Sequence, residues 1–420
     1  MLQQFYRAAS IYRGLPKDIY FLAIARFIVG MGSFIFLFLM LLLTEKLGYS
    51  TTAAGALATG LTGIILAGNF VGGKLADMYG HKRVLVAGEL TGSIILIICG
   101  FYSDAPVLVP VLLFMTFFLF GIAFPASTAL VADLSTPKNR DAMMSLSYLA
   151  FNLGSAVGPL IAGYLFWNYT RWIFFANGLA VLTGIIIVMF FIHATSETTQ
   201  ENQDEADESD SLEKPVSGSV WSVLKDRPRI PVFALLTGFL WFAQNQMTVA
   251  NPLYLNYLFG TDGPVILGQL MAFACVIVVF GTPVLIKLTQ SKTGPFSLAL
   301  SGVLFGLGYA LIVWQPTVPA HYLAWLLMAA GEILLVTKEA VYLANQSPAS
   351  HRGRIQGTMA TMQGILRMPG FVLTGWLIDH YGYHLMWSVV IFCCLSATAG
   401  LLTLDRQQNR QRPKTTLLSQ

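Results

Sequence analysis

Six ionisable residues stand where the surrounding sequence is almost wholly apolar, and they are the first candidates for chemistry. Glu332 lies in "AAGEILL", Arg26 in "LAIARFIVG", Glu89 in "VAGELTG", Lys338 and Glu339 in "VTKEAV", and Arg367 in "ILRMPG". A charge embedded in such text is costly and tends to face a cavity or a partner. A carboxyl in low-dielectric surroundings can load and unload a proton near neutral pH, which makes Glu332 the leading candidate for a proton carrier. Glu339 follows seven residues later and shares the face of the same helix. Arg367 lies at a depth similar to that of Glu332. It is a candidate partner in proton coupling, and a fixed Glu332–Arg367 ion pair is the competing reading. Arg26 can meet an anionic solute or pair with an acid, and nothing local decides between these. Glu89 falls close to one end of its apolar run.

A second group of polar side chains lies in "WFAQNQMTVANPLY", residues 241–254. At 100° per residue these amides cannot all face one way, so some must bond neighbouring helices. Trp241, Gln244, Thr248 and Asn251 are the candidates for a cavity wall, with interhelical bonding as the alternative for each. Met31, among the phenylalanines that follow Arg26, suits a wall that adapts to apolar ligands. Contact with lipid explains most of those phenylalanines equally well.

The elements that carry these residues follow from composition. Of 420 residues 55% are hydrophobic and 11% charged, and the mean hydropathy is +0.65. A soluble domain carries about a quarter charged residues, so a water-facing surface cannot be built from this inventory. Apolar runs of bilayer length recur roughly at 19–43, 51–72, 84–102, 107–131, 144–166, 172–193, 230–255, 265–287, 296–314, 321–343, 356–378 and 384–404. The expected fold is therefore an all-α membrane protein with twelve transmembrane helices in two six-helix bundles. The first run is long enough to span and is expected to be retained rather than cleaved as a signal peptide. Cys99, Cys275, Cys393 and Cys394 all fall inside apolar runs and read as small packing groups, not as a disulfide set or a metal site.

Residues 1–194 form the expected N-terminal bundle and 221–405 the C-terminal one, with a tail at 406–420. Between them residues 195–220 hold an acidic stretch, expected to be a disordered cytoplasmic linker. A docking role for that stretch is the functional alternative. Weak echoes recur at an offset of 212, pairing Arg140 with Arg352, Gly158 with Gly370 and Gly163 with Gly375. Two such halves with a site between them are an architecture of secondary transporters. Orientation follows from the basic residues. Of 25 lysines and arginines, 20 fall on the side of the two termini, and only Lys46 and Arg171 fall opposite. That asymmetry places both termini in the cytoplasm of an inner or plasma membrane. The formal charge of +4 therefore reflects topology and does not point to nucleic acid.

One cytoplasmic connection reads "GGKLADMYGHKRVL", residues 72–85. Its pattern Gly73-x-Leu75-Ala76-Asp77-x-x-Gly80-His81-Lys82-Arg83 resembles the signature loop of the major facilitator superfamily. "GSAVGPLIAG", with Gly154, Gly158, Pro159 and Gly163, resembles that superfamily's antiporter motif, Ala162 replacing one glycine. Tight helix packing by small residues is the competing account of this second motif. The resemblance is closest to the twelve-span drug:proton antiporter branch. It implies the major facilitator fold, alternating access, and a cytoplasmic gate in which the loop latches the two halves. The gate residues it implies are Gly73, Asp77, Gly80, His81, Arg83, Asp133 and Arg140. Two positions depart from the pattern. The sixth residue of the loop is Met78, and the ninth, usually an arginine paired with the acid at Asp133, is His81. A His81–Asp133 pair would weaken as pH rises through the imidazole range. Drug:proton antiporters often carry an arginine in span four, where this chain has Phe117.

The function these features imply is proton-coupled efflux of amphipathic small molecules. An exporter or importer of one metabolite, a siderophore, lipid or other anionic or zwitterionic solute, is the alternative. A membrane receptor or scaffold docking through the acidic stretch belongs to another class, and no attached sensor or output domain favours it. No phosphate-cradling glycine loop, metal-spaced His/Cys set or nucleophile beside a base occurs, so no enzyme, no cofactor and no metal are expected. The expected partners are a small-molecule substrate, protons and the lipid bilayer, with the chain a monomer.

Overall fold

The structure, a computed structural model, describes residues 12, 14–136, 139–193, 229–346 and 352–411. The acidic stretch thus lies outside the described residues. Those described are helical, with no strand among them. The first span is broken. Helix α1 (Lys17–Gly32) stops at Ser33, α2 (Ile35–Leu41) resumes, and a π-helical turn, Leu42–Lys46, follows. Then come α3 (Thr51–Tyr79), α4 (His81–Phe101), α5 (Leu108–Asp133), α6 (Arg140–Leu165) and α7 (Thr170–Phe191). The seventh span is broken too, into α8 (Arg229–Asn245) and α9 (Ala250–Phe259), after which a 3₁₀ turn, Gly260–Asp262, leads on. The rest is α10 (Gly263–Thr289), α11 (Gly294–Trp314), α12 (Val318–Gln346) and α13 (Arg352–Gln411), which bends at Gly382.

Among the described residues ten apolar stretches are long enough to cross a bilayer, and two of them, Pro231–Thr289 and Met368–Gln408, run to 59 and 41 residues. Each of these two has the length of two crossings. Their outward faces are apolar. Phe101 is 74% exposed and Trp314 80%, which suits hydrocarbon and not water.

Two compact units emerge, one of residues 1–209 and 255–275, the other of 210–254 and 276–420. Within the first, α1 packs on α6 and α7, α4 on α5 and α7, and α3 on α5. Within the second, α11 packs on α12 and α13, and α8 on α13. The pattern repeats: spans one and seven lie against the last two spans of their own half, and spans three and nine against the spans that follow them. The breaks repeat as well. Helix α1 ends at Gly32 and α8 at Asn245, 213 residues apart and within one residue of the offset of the sequence echoes.

Local chemistry accounts for the breaks and turns. Around 246–249 the backbone tightens, Met247 N–H donating to the Gln244 carbonyl at 3.1 Å, and then loosens, Asn251 N–H donating to the Gln246 carbonyl at 3.0 Å. Between α3 and α4 the chain reverses at Gly80 with φ 88°, a left-handed geometry that glycine adopts without steric cost. Ser50 caps α3 and Thr293 caps α11, each hydroxyl accepting a backbone N–H in the first turn.

Candidate functional site

A cavity of about 590 Å³ lies inside the first unit. Its walls come from α1, α4, α5, α6 and α7. Along α5 they are Phe117, Phe120, Phe124, Ser127, Thr128 and Val131, a helical stripe. Tyr148 and Phe151 of α6 and Phe36 of α2 add aromatic surface. The polar groups are few: Arg26, Glu89, Ser33, Ser127, Thr128, Ser147, Tyr148 and Asn177. A mostly apolar, concave wall with a few placed polar groups is the usual composition of a small-molecule site.

Arg26 and Glu89 are both half-buried on this wall. Arg26 Nη2 donates to the Ser127 hydroxyl. The Glu89 carboxylate attracts the guanidinium electrostatically. Between them, lined also by Leu22, Ala25 and Leu85, is a void of about 10 Å³. That is close to the smallest space one water molecule occupies. Arg26 lies on this cavity wall. Glu89 stands out in the sequence only as an ionisable residue near one end of its run, and Ser127 and the α5 stripe are not singled out there. The helical spacing of Phe117, Phe120, Phe124 and Ser127 is the signal that would have found them.

The polar candidates of the seventh span belong to the second unit and bond to one another's neighbours. Gln244 Nε2 donates to Glu332 Oε1 at 3.3 Å, and Trp241 Nε1 donates to Glu339 Oε2 at 2.6 Å. Thr374 donates to the Gln246 amide oxygen at 3.0 Å. The Thr248 hydroxyl turns back on the Asn245 carbonyl. Asn251 is fully buried, with neither side-chain amide atom hydrogen-bonded. Glu332 is half-buried and Glu339 buried. The side chain of Arg367 lies outside the described residues, and so does that of Arg140. Met31 is half-buried, and its backbone abuts α6.

At the cytoplasmic connection, His81 Nδ1 stands 2.5 Å from Asp133 Oδ2, both partly exposed. Lys82 Nζ donates to the carbonyls of Met189 and Ile192, capping the end of α7. Asp77 and Arg83 are exposed. Gly73 has open space around it, whereas a side chain on neighbouring Gly72 would meet the Ile122 carbonyl oxygen at 2.2 Å.

The glycine motif of α6 is a packing seam on two sides. A Cβ on Gly154 would lie 2.1 Å from the Phe27 carbonyl oxygen, and one on Gly158 2.5 Å from that of Met31. Toward α10, a Cβ on Gly163 would lie 2.5 Å from the Pro264 oxygen, and one on Gly268 2.3 Å from the Pro159 oxygen. Small residues here let backbones touch.

Broken first and seventh spans, a repeated packing pattern and a solute-sized cavity define a polytopic membrane transporter. Residues 22–370 and 294–417 match the description of the Major Facilitator Superfamily, and the chain belongs to that family. It is 24% identical to the multidrug resistance protein MdtG of Proteus mirabilis, over 93% of this chain and 97% of that one. It is 23% identical to a Na(+), Li(+), K(+)/H(+) antiporter of Planococcus maritimus, over 82% and 87%. A POT family transporter solved in complex with 5-aminolevulinic acid superposes with a TM-score of 0.75 at 14% identity, over 94% of this chain and 97% of that one. At that identity the likeness is one of fold.

Proposed function

We propose that this chain moves amphipathic small organic molecules across the cell membrane by alternating access, coupled to protons. The aromatic-walled cavity of about 590 Å³ with one half-buried arginine and one carboxyl carries the reading. Its size falls within the ~300–1,000 Å³ of small-molecule sites. Efflux in exchange for protons is the first form of the proposal. It is supported by the glycine motif of α6 and by relatives described as a multidrug resistance protein and a proton antiporter. Glu332, with Glu339 and Arg367, is the proposed proton-carrying group of the second unit, and Gln244 orients its carboxyl. Gly73, Asp77, Gly80, His81, Arg83, Asp133 and Arg140 are the proposed cytoplasmic gate. The basic residues place both termini in the cytoplasm. A second form, movement of one organic anion, is favoured by Arg26, the cation on the cavity wall.

The test is solute-dependent proton flux in proteoliposomes bearing a pH gradient, read with a trapped pH dye over amphipathic cations, zwitterions and anions. At least one class should drive flux, and Glu332→Gln should abolish it while solute binding persists. Solute binding without any proton movement would overturn the coupling.

A further inference from the structure

We infer that the solute of the first unit's cavity is an aromatic organic anion, and that its carboxylate takes Arg26 from Glu89, which accepts a proton as the anion binds. The inference rests on the cavity being the solute site.

Three observations carry it. First, Arg26 and Glu89 face the same cavity and attract each other across a void of about 10 Å³. Second, the guanidinium is only partly engaged by the protein. It has five N–H donors in a planar fork, and the structure gives it the Ser127 hydroxyl as hydrogen-bond acceptor. That fork matches a carboxylate with two parallel bonds. Third, the remaining wall is aromatic, with Phe117, Phe120, Phe124 and Phe151 ready to hold a flat apolar body.

Charge balance then dictates the coupling. With Glu89 ionised, Arg26 and Glu89 sum to zero, and an anion entering brings a net buried charge that low-dielectric surroundings oppose. With Glu89 protonated, Arg26 and the anion sum to zero instead. The anion displaces one carboxylate from the guanidinium and supplies another. The displaced carboxylate oxygen takes a proton from the bulk solution and becomes a neutral O–H, so one proton enters the cavity with each anion. The other described groups facing this site cannot take that proton near neutral pH. Ser127 comes from α5, Asn177 from α7, and Ser147 with the phenol of Tyr148 from α6. Val29 and Leu22 of α1 and Val188 of α7 are apolar. Proton and anion therefore move in the same direction. An inward proton gradient would drive uptake, and this separates the inference from efflux by exchange.

The experiment uses the full chain in nanodiscs and three probes of one shape: 2-naphthoate, neutral 2-naphthamide and 2-naphthylmethylammonium. Titration calorimetry in two buffers of different ionisation enthalpy counts protons taken up per ligand bound. Naphthoate should bind with uptake of close to one proton. Its affinity should fall by up to tenfold per unit between about pH 6 and pH 8, the slope that linkage sets for one proton. Glu89→Gln should bind naphthoate as tightly at the high end as at the low end, with no proton uptake. Arg26→Gln should weaken naphthoate roughly 30-fold or more and leave naphthamide alone. Naphthoate binding without proton uptake, or a Glu89→Gln protein that keeps the pH slope, would overturn the inference. If Arg26→Gln fails to fold, the proton count on wild type and Glu89→Gln decides alone. If only the amide or the ammonium binds and is transported, the anion assignment fails while the cavity stands as a solute site. If none of the three binds, the reading of the cavity fails and takes this inference with it.

Discussion

Replacing Gly154 by alanine tests the seam that holds the first unit together, and Gly73→Ala is its internal control. Both glycines are helical and both belong to motifs that resemble family signatures. Their surroundings differ. A Cβ on Gly154 meets the Phe27 carbonyl oxygen at 2.1 Å, the Met31 nitrogen at 2.8 Å and the Phe27 carbonyl carbon at 3.0 Å, whereas one on Gly73 meets nothing within 4 Å. Real Cβ atoms essentially never approach within 3.0 Å and ordinary contact begins at 3.4 Å, so α1 and α6 must part by about 0.9–1.3 Å at that point, the difference from 2.1 Å. The obstacle is backbone, which no rotamer change moves aside. A radial gap of ~0.5–1 Å forfeits a quarter to a half of the dispersion energy across a contact. Gly158 lies one turn along the same seam and loses its fit together with Gly154. Overpacking costs about 1–3 kcal/mol, and a backbone obstacle puts Gly154→Ala at the upper end. For a unit of 150–250 residues that is a fall in melting temperature of roughly 6–12 °C. Gly73→Ala should gain about 0.5–1 kcal/mol from helix propensity. The assay is thermal unfolding of the purified variants in detergent, followed by tryptophan fluorescence and by a lipid-stabilised repeat. If Gly154→Ala melts with the wild type, or if both variants fall equally, the close approach of α1 and α6 is wrong.

Three further outcomes follow from the same geometry. His81→Arg puts a permanent cation beside the partly exposed Asp133 and should change stability by no more than about 1 kcal/mol in thermal melting, the range of an exposed ion pair. Trp241→Phe removes the donor 2.6 Å from buried Glu339 and should destabilise by about 1.5–3 kcal/mol, with Glu339→Gln in the same background recovering part of the loss in denaturant titrations. Gly268→Ala puts a Cβ 2.3 Å from the Pro159 oxygen and should lower transport and melting temperature together, whereas a variant that melts normally would place α6 and α10 farther apart.

The fold was legible because bilayer physics leaves little choice. A chain with 11% charged residues and runs of twenty apolar ones has to be a helical bundle. The signature loop was legible for a similar reason, since the single residue between α3 and α4, Gly80, takes left-handed backbone. The cavity was legible only in part. Arg26 drew attention because a cation in an apolar run is rare, but its partner Glu89 looked peripheral, two turns after a helix start. Depth counted along one helix says nothing of which neighbour that helix leans on. The amides of the seventh span attracted more weight than the cavity in the first unit, because polar text stands out from apolar text while a phenylalanine stripe does not. In the structure those amides serve carboxylates in their own unit: Gln244 holds Glu332, and Trp241 holds Glu339. The glycines of α6 were legible as small, and only the coordinates show that Gly154 and Gly158 face α1 while Gly163 faces the start of α10.

The two candidate coupling acids differ in the kind of partner each has, and that difference assigns them different work. Glu332 accepts from a neutral amide, so protonating it changes the local charge by one unit whatever solute is present. Such a group can sense the proton gradient, but its partner offers a solute no charge in return. Glu89 faces a cation, so protonating it leaves the Arg26 guanidinium free for another carboxylate. Selectivity for the charge of a solute therefore follows from the second arrangement and not from the first. The arginine also explains why a carboxyl is tolerated in an aromatic wall. Each partner offsets the desolvation of the other when the cavity is empty of solute, and a bound anion takes over that task when Glu89 is protonated. By the same charge count a wall built this way opposes an organic cation in either state of Glu89, because Arg26 and the cation leave at least one net positive charge, and it opposes an anion unless Glu89 is neutral, so the protonation state of one side chain decides whether an anion enters.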